Sequence, residues 1–141
     1  MKLTRILALA LVGVMAVLCL ASCGATAPTI TVTLKINCGD PSFPVILDVP
    51  VAIKSENPTV LEAFIEGCVV NEMDYSLDAS EEFVVDIDQY KDYTDAETNT
   101  TYYWYFTVNG EEPKSGKAVN TPIADGDVIE YIYTSFVPEE K

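Results

Sequence analysis

Eight consecutive residues, Thr101-Tyr102-Tyr103-Trp104-Tyr105-Phe106-Thr107-Val108, carry only aromatic or β-branched side chains and run straight into Asn109-Gly110. Such side chains pack well on a pleated surface and lose rotamer freedom in a helix. Asn-Gly supplies the positive-φ pair of a tight hairpin turn. The segment is therefore a strand that ends in a turn, with a short partner expected over Lys117 to Val119. Period-two alternation puts Tyr103, Tyr105 and Thr107 on one face and Tyr102, Trp104, Phe106 and Val108 on the other. Only one face can cover a helix. The other is expected to expose large rings, as cross-strand packing with Tyr131 and Tyr133 or as a platform for a flat apolar ligand.

The remaining elements follow from periodicity. Thr29 to Asn37 alternates Ile30, Val32, Leu34 and Ile36 with polar residues, which only a half-buried strand satisfies. Gly39 to Ser42 is turn chemistry, and Val45 to Lys54 resumes the alternation. Pro44 and Pro50 lack amide donors, which predicts an edge or irregular strand there. At Pro58 the period changes to that of a helix: Thr59 can cap, Glu62 can close a capping box, and Val60, Leu61, Phe64, Ile65 and Cys68 share one face. Gly67 is expected to weaken the helix end. Asn71 to Glu82 reads as an acidic loop with at most a short strand near Tyr75 to Leu77. Phe83 to Ile87 is a strand, Asp92 to Thr101 a polar loop, and Val128 to Tyr133 a last strand after the Ala124-Asp125-Gly126-Asp127 turn.

The order β-β-α-β-β-β predicts an α+β fold in which a mixed sheet packs on one helix. It is similar to the β-grasp, or ubiquitin-like, arrangement. One helix against one sheet is a reasonable core for a chain of this size.

Ahead of this body, Lys2 and Arg5 precede an uncharged apolar run from Ile6 to Leu20. That is the form of a signal peptide, shorter than the ~20 apolar residues of a membrane span; the rival is an uncleaved anchor helix. Leu20-Ala21-Ser22-Cys23 resembles the lipobox of bacterial lipoproteins. This implies cleavage before Cys23, attachment of lipid such as palmitate there, and a protein held at the cell membrane on its extracytoplasmic side. The expected organisation is a signal peptide over 1–22, a lipidated tether over 23–29, a folded domain over 30–137 and a charged tail over 138–141.

Composition narrows the function. With 22 Asp and Glu against 8 Lys and Arg, the formal charge is −14, which opposes binding to nucleic acid. The chain has no His, so Ser-His-Asp and Cys-His catalysis and His-ligated zinc are unavailable. Cys38 and Cys68 form an even pair, open to a disulfide outside the cytoplasm or to two buried free thiols. Asp86 with Asp88, and Asp125 with Asp127, lack the spaced acidic loop of a strong calcium motif, so no metal site is assigned. Asp125-Gly126-Asp127 reads better as a turn.

Taken in order, Thr59-Val60-Leu61-Glu62-Ala63, Tyr103-Trp104, Asn109-Gly110 with Glu112-Pro113, Gly116, and Asp125-Gly126-Asp127-Val128-Ile129 resemble the transcobalamin-like C-terminal domain. The resemblance spans roughly Ile30 to Thr134. In animal cobalamin carriers this domain is a β-grasp lid over a corrinoid held against a separate α/α barrel, which this chain lacks. Carried over, the resemblance implies ligand contacts at Trp104, Tyr105 and Phe106, with Tyr103 beside them, and at Val85 and Ile87 on the preceding strand. Tyr105 departs from the family, whose carriers have an amide side chain there.

The expected function is a lipid-anchored surface module that binds a small ligand, with cobalamin or another corrinoid as the candidate, through an aromatic strand face. The alternative is a structural or adhesive module that holds an envelope protein. No cofactor is expected, and no residue pattern points to an enzyme.

Overall fold

The computed structural model describes residues 26–40 and 45–138. The signal segment, Cys23, Pro44 and the end of the charged tail lie outside the described residues. Among the described residues, no helix is long and apolar enough to cross a membrane.

The fold is α+β, with one α-helix and eight strands in two sheets among the described residues. The strands are β1 (Thr29–Asn37), β2 (Leu47–Lys54), β3 (Tyr75–Leu77), β4 (Val84–Ile87), β5 (Tyr90–Lys91), β6 (Tyr93–Asp95), β7 (Thr100–Val108) and β8 (Val128–Phe136). The helix α1 spans Val60–Val70, and a 3-10 turn covers Ala118–Asn120. The large sheet has the order β2-β1-β8-β7-β6, with β1 and β8 parallel at its centre and the other pairs antiparallel. The small sheet has the order β3-β4-β5.

Alternation decides the core. Val32, Leu34 and Ile36 of β1, Val51 and Ile53 of β2, and Ile129 and Tyr131 of β8 all face α1. Pro50 sits in β2, an edge strand that can do without one amide donor. The helix starts as its sequence requires: Thr59 Oγ1 accepts from the Glu62 amide at 3.3 Å, and Glu62 Oε2 accepts from the Thr59 amide at 2.9 Å. Gly67 does not end the helix, which continues to Val70. It is instead the point of close approach to the sheet, because a Cβ there would run into Leu34 Cδ2 and press on Val51.

The structure corrects several expectations. The partner strand over Lys117 to Val119 is a 3-10 turn. Asn109 and Gly110 do take positive φ, but the turn closes only a bridge from Val108 to Glu111, and β7 pairs with β8 along its length. The reason lies in the Asn109 side chain, whose Oδ1 accepts from the Val128 amide at 2.9 Å and ties the turn to the start of β8. The stretch over Asp92 to Thr101, expected as a loop, is a hairpin between β6 and β7. Asp95 Oδ1 closes it by accepting from the Glu97 amide at 2.9 Å. The strand over Phe83 to Ile87 belongs to the separate small sheet, not to the large one. Asp125-Gly126-Asp127 is a turn: Gly126 has φ 86°, and Asp127 Oδ2 accepts from the Ala124 amide at 2.8 Å.

Cys38 and Cys68 are both buried free thiols, so the disulfide is not formed. Cys68 is fully buried on the core face of α1, whereas Cys38 follows the end of β1 and lines a groove among tyrosines.

Candidate ligand site

Strand β6 pairs with only the first residues of β7, Thr100 to Tyr102. Past that point β7 turns its free edge toward the β3–β4 connection and the segment after the Asn-Gly turn. A cleft of about 250 Å³ lies there, lined on β7 by Tyr103, Trp104, Tyr105 and Phe106, and opposite them by Glu82, Phe83, Val84, Glu112, Pro113, Gly116 and Ala118. Tyr131 adds to its lining. On the side opposite β7, the β3–β4 connection and the segment after the Asn-Gly turn are joined by an ion pair, Lys117 Nζ to Glu82 Oε2 at 2.6 Å. The Phe83 side is shaped by Asp78, whose Oδ1 accepts from the amides of Glu82 (3.0 Å) and Phe83 (2.9 Å) while Oδ2 bonds Ser80 Oγ at 2.6 Å. These bonds hold the Asp78 carboxyl down at about 2.

The inward and outward faces of β7 differ from the expectation of a bare aromatic platform. Trp104 (7% exposed) and Phe106 (8%) face the core. The indole is pinned: Nε1 donates to the Tyr90 carbonyl at 3.0 Å, and its ring packs edge-on to Tyr90 and against Tyr133 at 5.0 Å. Phe106 stacks on Tyr131 at 5.5 Å, whose ring also meets Phe64 of α1 at 4.5 Å. These two residues line the cleft while almost wholly buried. Tyr103 and Tyr105 form the outer face, half-buried, with ring centroids 6.3 Å apart. Burial, then the nearby Glu112, raises the Tyr105 phenol.

On β4 neither of the two expected contacts, Val85 and Ile87, lines the cleft. Ile87 is wholly buried in the core, and Val84 rather than Val85 lines the cleft. A register shift between Ser76 and Leu77 of β3 breaks strict alternation on β4, so Val84 and Ile87 both turn inward and Val85 is left half-buried.

The edge of β7 is a polar resource as well. The Trp104 amide points away from β8 and donates to Asp92 Oδ1 at 3.0 Å. By the alternation of an antiparallel ladder, the Phe106 amide and carbonyl point the same way, into the cleft. Burial raises the Asp92 carboxyl, against the lowering effect of the Trp104 bond.

A second hollow, about 480 Å³, lies at the other end of β7, lined by Cys38, Gly39, Asp40, Tyr90, Tyr102, Tyr133, Thr134 and Ser135. Tyr93 stacks on Tyr102 at 4.7 Å with the planes 8° apart, and Tyr102 on Tyr133 at 6.2 Å. The Tyr133 hydroxyl donates to the Lys91 carbonyl at 2.7 Å, and burial pushes its pKa up to about 12. None of these tyrosines was singled out as a contact residue from sequence. The cue in sequence is the alternation that puts Tyr102 on one strand face, with Tyr133 as a candidate for cross-strand packing. Among the described residues, no group of three or more Cys, Asp or Glu is arranged to hold a metal ion.

A family profile described as "Domain of unknown function (DUF4430)" matches residues 57–135, more than half of the chain. The chain belongs to the DUF4430 family. The match begins just before α1 and runs through β8 to Ser135, so this DUF4430 domain includes the whole lining of the cleft, whereas Cys38, Gly39 and Asp40 of the second hollow precede it. Among solved structures, haptocorrin in complex with Cbi superposes with a TM-score of 0.59 at 12% identity. That superposition covers 81% of this chain and 27% of haptocorrin, so the DUF4430 protein spans about a quarter of haptocorrin's length. A protein from Ruminococcus gnavus, described as a candidate metal-binding protein, gives a TM-score of 0.47 at 19% identity, over 76% of this chain and 98% of that one. No curated protein matches the chain. The resemblance to transcobalamin-like domains drawn from sequence therefore holds at the level of fold.

Proposed function

We propose that this protein is a lipid-anchored, extracytoplasmic module that binds a small ligand along the free edge of β7, with a corrinoid as the candidate ligand. The single observation that carries the reading is the cleft itself. It joins apolar walls, a tethering ion pair and an outward-facing backbone amide on the very strand that the transcobalamin resemblance assigns to ligand contact. That haptocorrin was crystallised in complex with Cbi supports the choice of ligand class. The sheet order, with first and last strands parallel at its centre, agrees with a β-grasp lid.

Size limits the mode of binding. At about 250 Å³ the cleft is below the ~300–1,000 Å³ of pockets that engulf a drug-sized ligand. It takes an edge or a side group of a corrinoid and leaves the rest uncovered, so affinity is micromolar unless a partner provides the opposite wall. The test is a titration of the full chain with cyanocobalamin, followed by its visible spectrum and by Trp104 fluorescence. Trp104 is the only tryptophan in the sequence and lies at the cleft. A saturable change supports the reading, and a flat response up to millimolar ligand removes the corrinoid. Replacing Cys23 by Ser is expected to abolish labelling by radioactive palmitate and release the protein from membranes; unchanged labelling would remove the anchor at that residue.

A second reading rests on the same edge. An extended peptide from an envelope protein could add beyond Tyr102 to the edge of β7 that faces away from β8, where no strand pairs among the described residues. Pull-down from solubilised envelopes would then recover a stoichiometric partner that Phe106→Pro no longer holds. We assign no catalytic step: the lining of the cleft offers Glu82 and Glu112 as its acids, and Glu82 is engaged by Lys117.

A further inference from the structure

We propose that the groove framed by Tyr90, Tyr102 and Tyr133 is a separate site, which takes the head group of a small quaternary ammonium compound. Three strands each contribute one ring: β5 brings Tyr90, β7 brings Tyr102 and β8 brings Tyr133. Tyr102 and Tyr133 are inclined by 24°, whereas Tyr90 and Tyr133 meet at 59° with centroids 5.4 Å apart. Tyr93 stacks on Tyr102, and Tyr90 stands at an angle to the Tyr102–Tyr133 pair, so the rings form two walls rather than one flat stack. Ring faces attract cations through their quadrupole, and an angled set of rings suits a rounded, weakly hydrated head group better than a flat molecule.

The volume of about 480 Å³ is ample for such a group. Charge points the same way. Asp40 lies on the lining, Asp92 is close enough to act electrostatically on the Tyr133 phenol, and the formal charge of the chain is −14. Among the described residues, none that lines the groove is cationic. The Lys91 ammonium, whose backbone carbonyl holds the Tyr133 hydroxyl, is itself drawn to Asp86 Oδ2 at 3.1 Å. Thr134 and Ser135 provide hydroxyls on the rim for a polar tail.

The test uses the full chain and a pair of ligands of the same shape, choline and its uncharged analogue 3,3-dimethylbutan-1-ol, with the ring proton signals of Tyr102 and Tyr133 as the readout. Choline is expected to give saturable shifts at roughly millimolar concentration and the neutral analogue to bind about tenfold more weakly. Tyr102→Leu, with native circular dichroism, is expected to weaken choline at least about fivefold. Absence of saturable shifts, equal binding of the two compounds, or unchanged choline binding by a folded Tyr102→Leu would each overturn the assignment. If that variant does not fold, the ratio between the two compounds on the unaltered chain decides alone.

Discussion

The Trp104 indole donates its Nε1–H to the Tyr90 carbonyl at 3.0 Å, and through that one bond β7 of the large sheet is locked to β5 of the small one. The indole is thus a structural pin that also backs the cleft, which gives its replacement a definite cost. Trp104→Phe leaves a carbonyl without its donor and opens a cavity in the core. Urea unfolding followed by circular dichroism is expected to show a loss of about 2–4 kcal/mol. A loss below about 0.5 kcal/mol would mean that the bond and the packing contribute little.

Gly67 separates two opposing effects. On propensity alone, Ala at this position would stabilise α1 by about 1 kcal/mol. The new Cβ would however run into Leu34 Cδ2, and overpacking of this kind costs about 1–3 kcal/mol. Gly67→Ala is therefore expected to be destabilising on balance in thermal unfolding. A stabilised variant would show that Leu34 yields freely.

The capping box at Thr59 supports the start of the same helix. Thr59→Ala removes the acceptor for the Glu62 amide and is expected to cost about 1 kcal/mol, measured by urea unfolding.

Asp78 predicts a response to acid. Its folded pKa, at about 2, lies below the ordinary value of 3.8, so the carboxylate is held more tightly in the folded state. The stabilisation is complete above the unfolded value and is lost as pH falls from there through the folded value. Because the group is on the surface, the effect is local. Amide exchange at Glu82 and Phe83 is expected to quicken between pH 4 and 2, relative to intrinsic rates, and Asp78→Asn to remove that pH dependence.

The two thiols are expected to stay reduced. Burial pushes Cys68 up to about 12, so it resists iodoacetamide until the chain is unfolded. Mass spectrometry of the native protein in air should show no change on treatment with reductant. A reductant-dependent gain of two hydrogens within one chain would contradict the free-thiol arrangement.

Much of the scaffold was legible in sequence because its signals are local. Strict alternation marks β1 over Thr29 to Asn37, and Thr59 with Glu62 marks the start of α1. What escaped depends on partners distant in the chain. Tyr93-Thr94-Asp95 is too short and polar to announce a strand and becomes one only by pairing with Thr100 to Tyr102. Lys117 to Asn120 coils because Thr121 Oγ1 donates to the Lys117 carbonyl at 2.8 Å, a local bond that competes with strand pairing. The strand that carries Tyr103 to Phe106 is legible in sequence, but alternation alone cannot tell which face meets the helix. The inward turn of Ile87 follows from a register shift that leaves no mark in sequence.

The central claim is that the free edge of β7 is where ligand binds, and amide chemical-shift mapping tests it most directly. On adding cyanocobalamin to the isotopically labelled full chain, the account predicts saturable shifts concentrated at Tyr103 to Phe106, Val84 and Gly116, with α1 and β2 unmoved. Saturable shifts confined to other surfaces, or none at all, would contradict it.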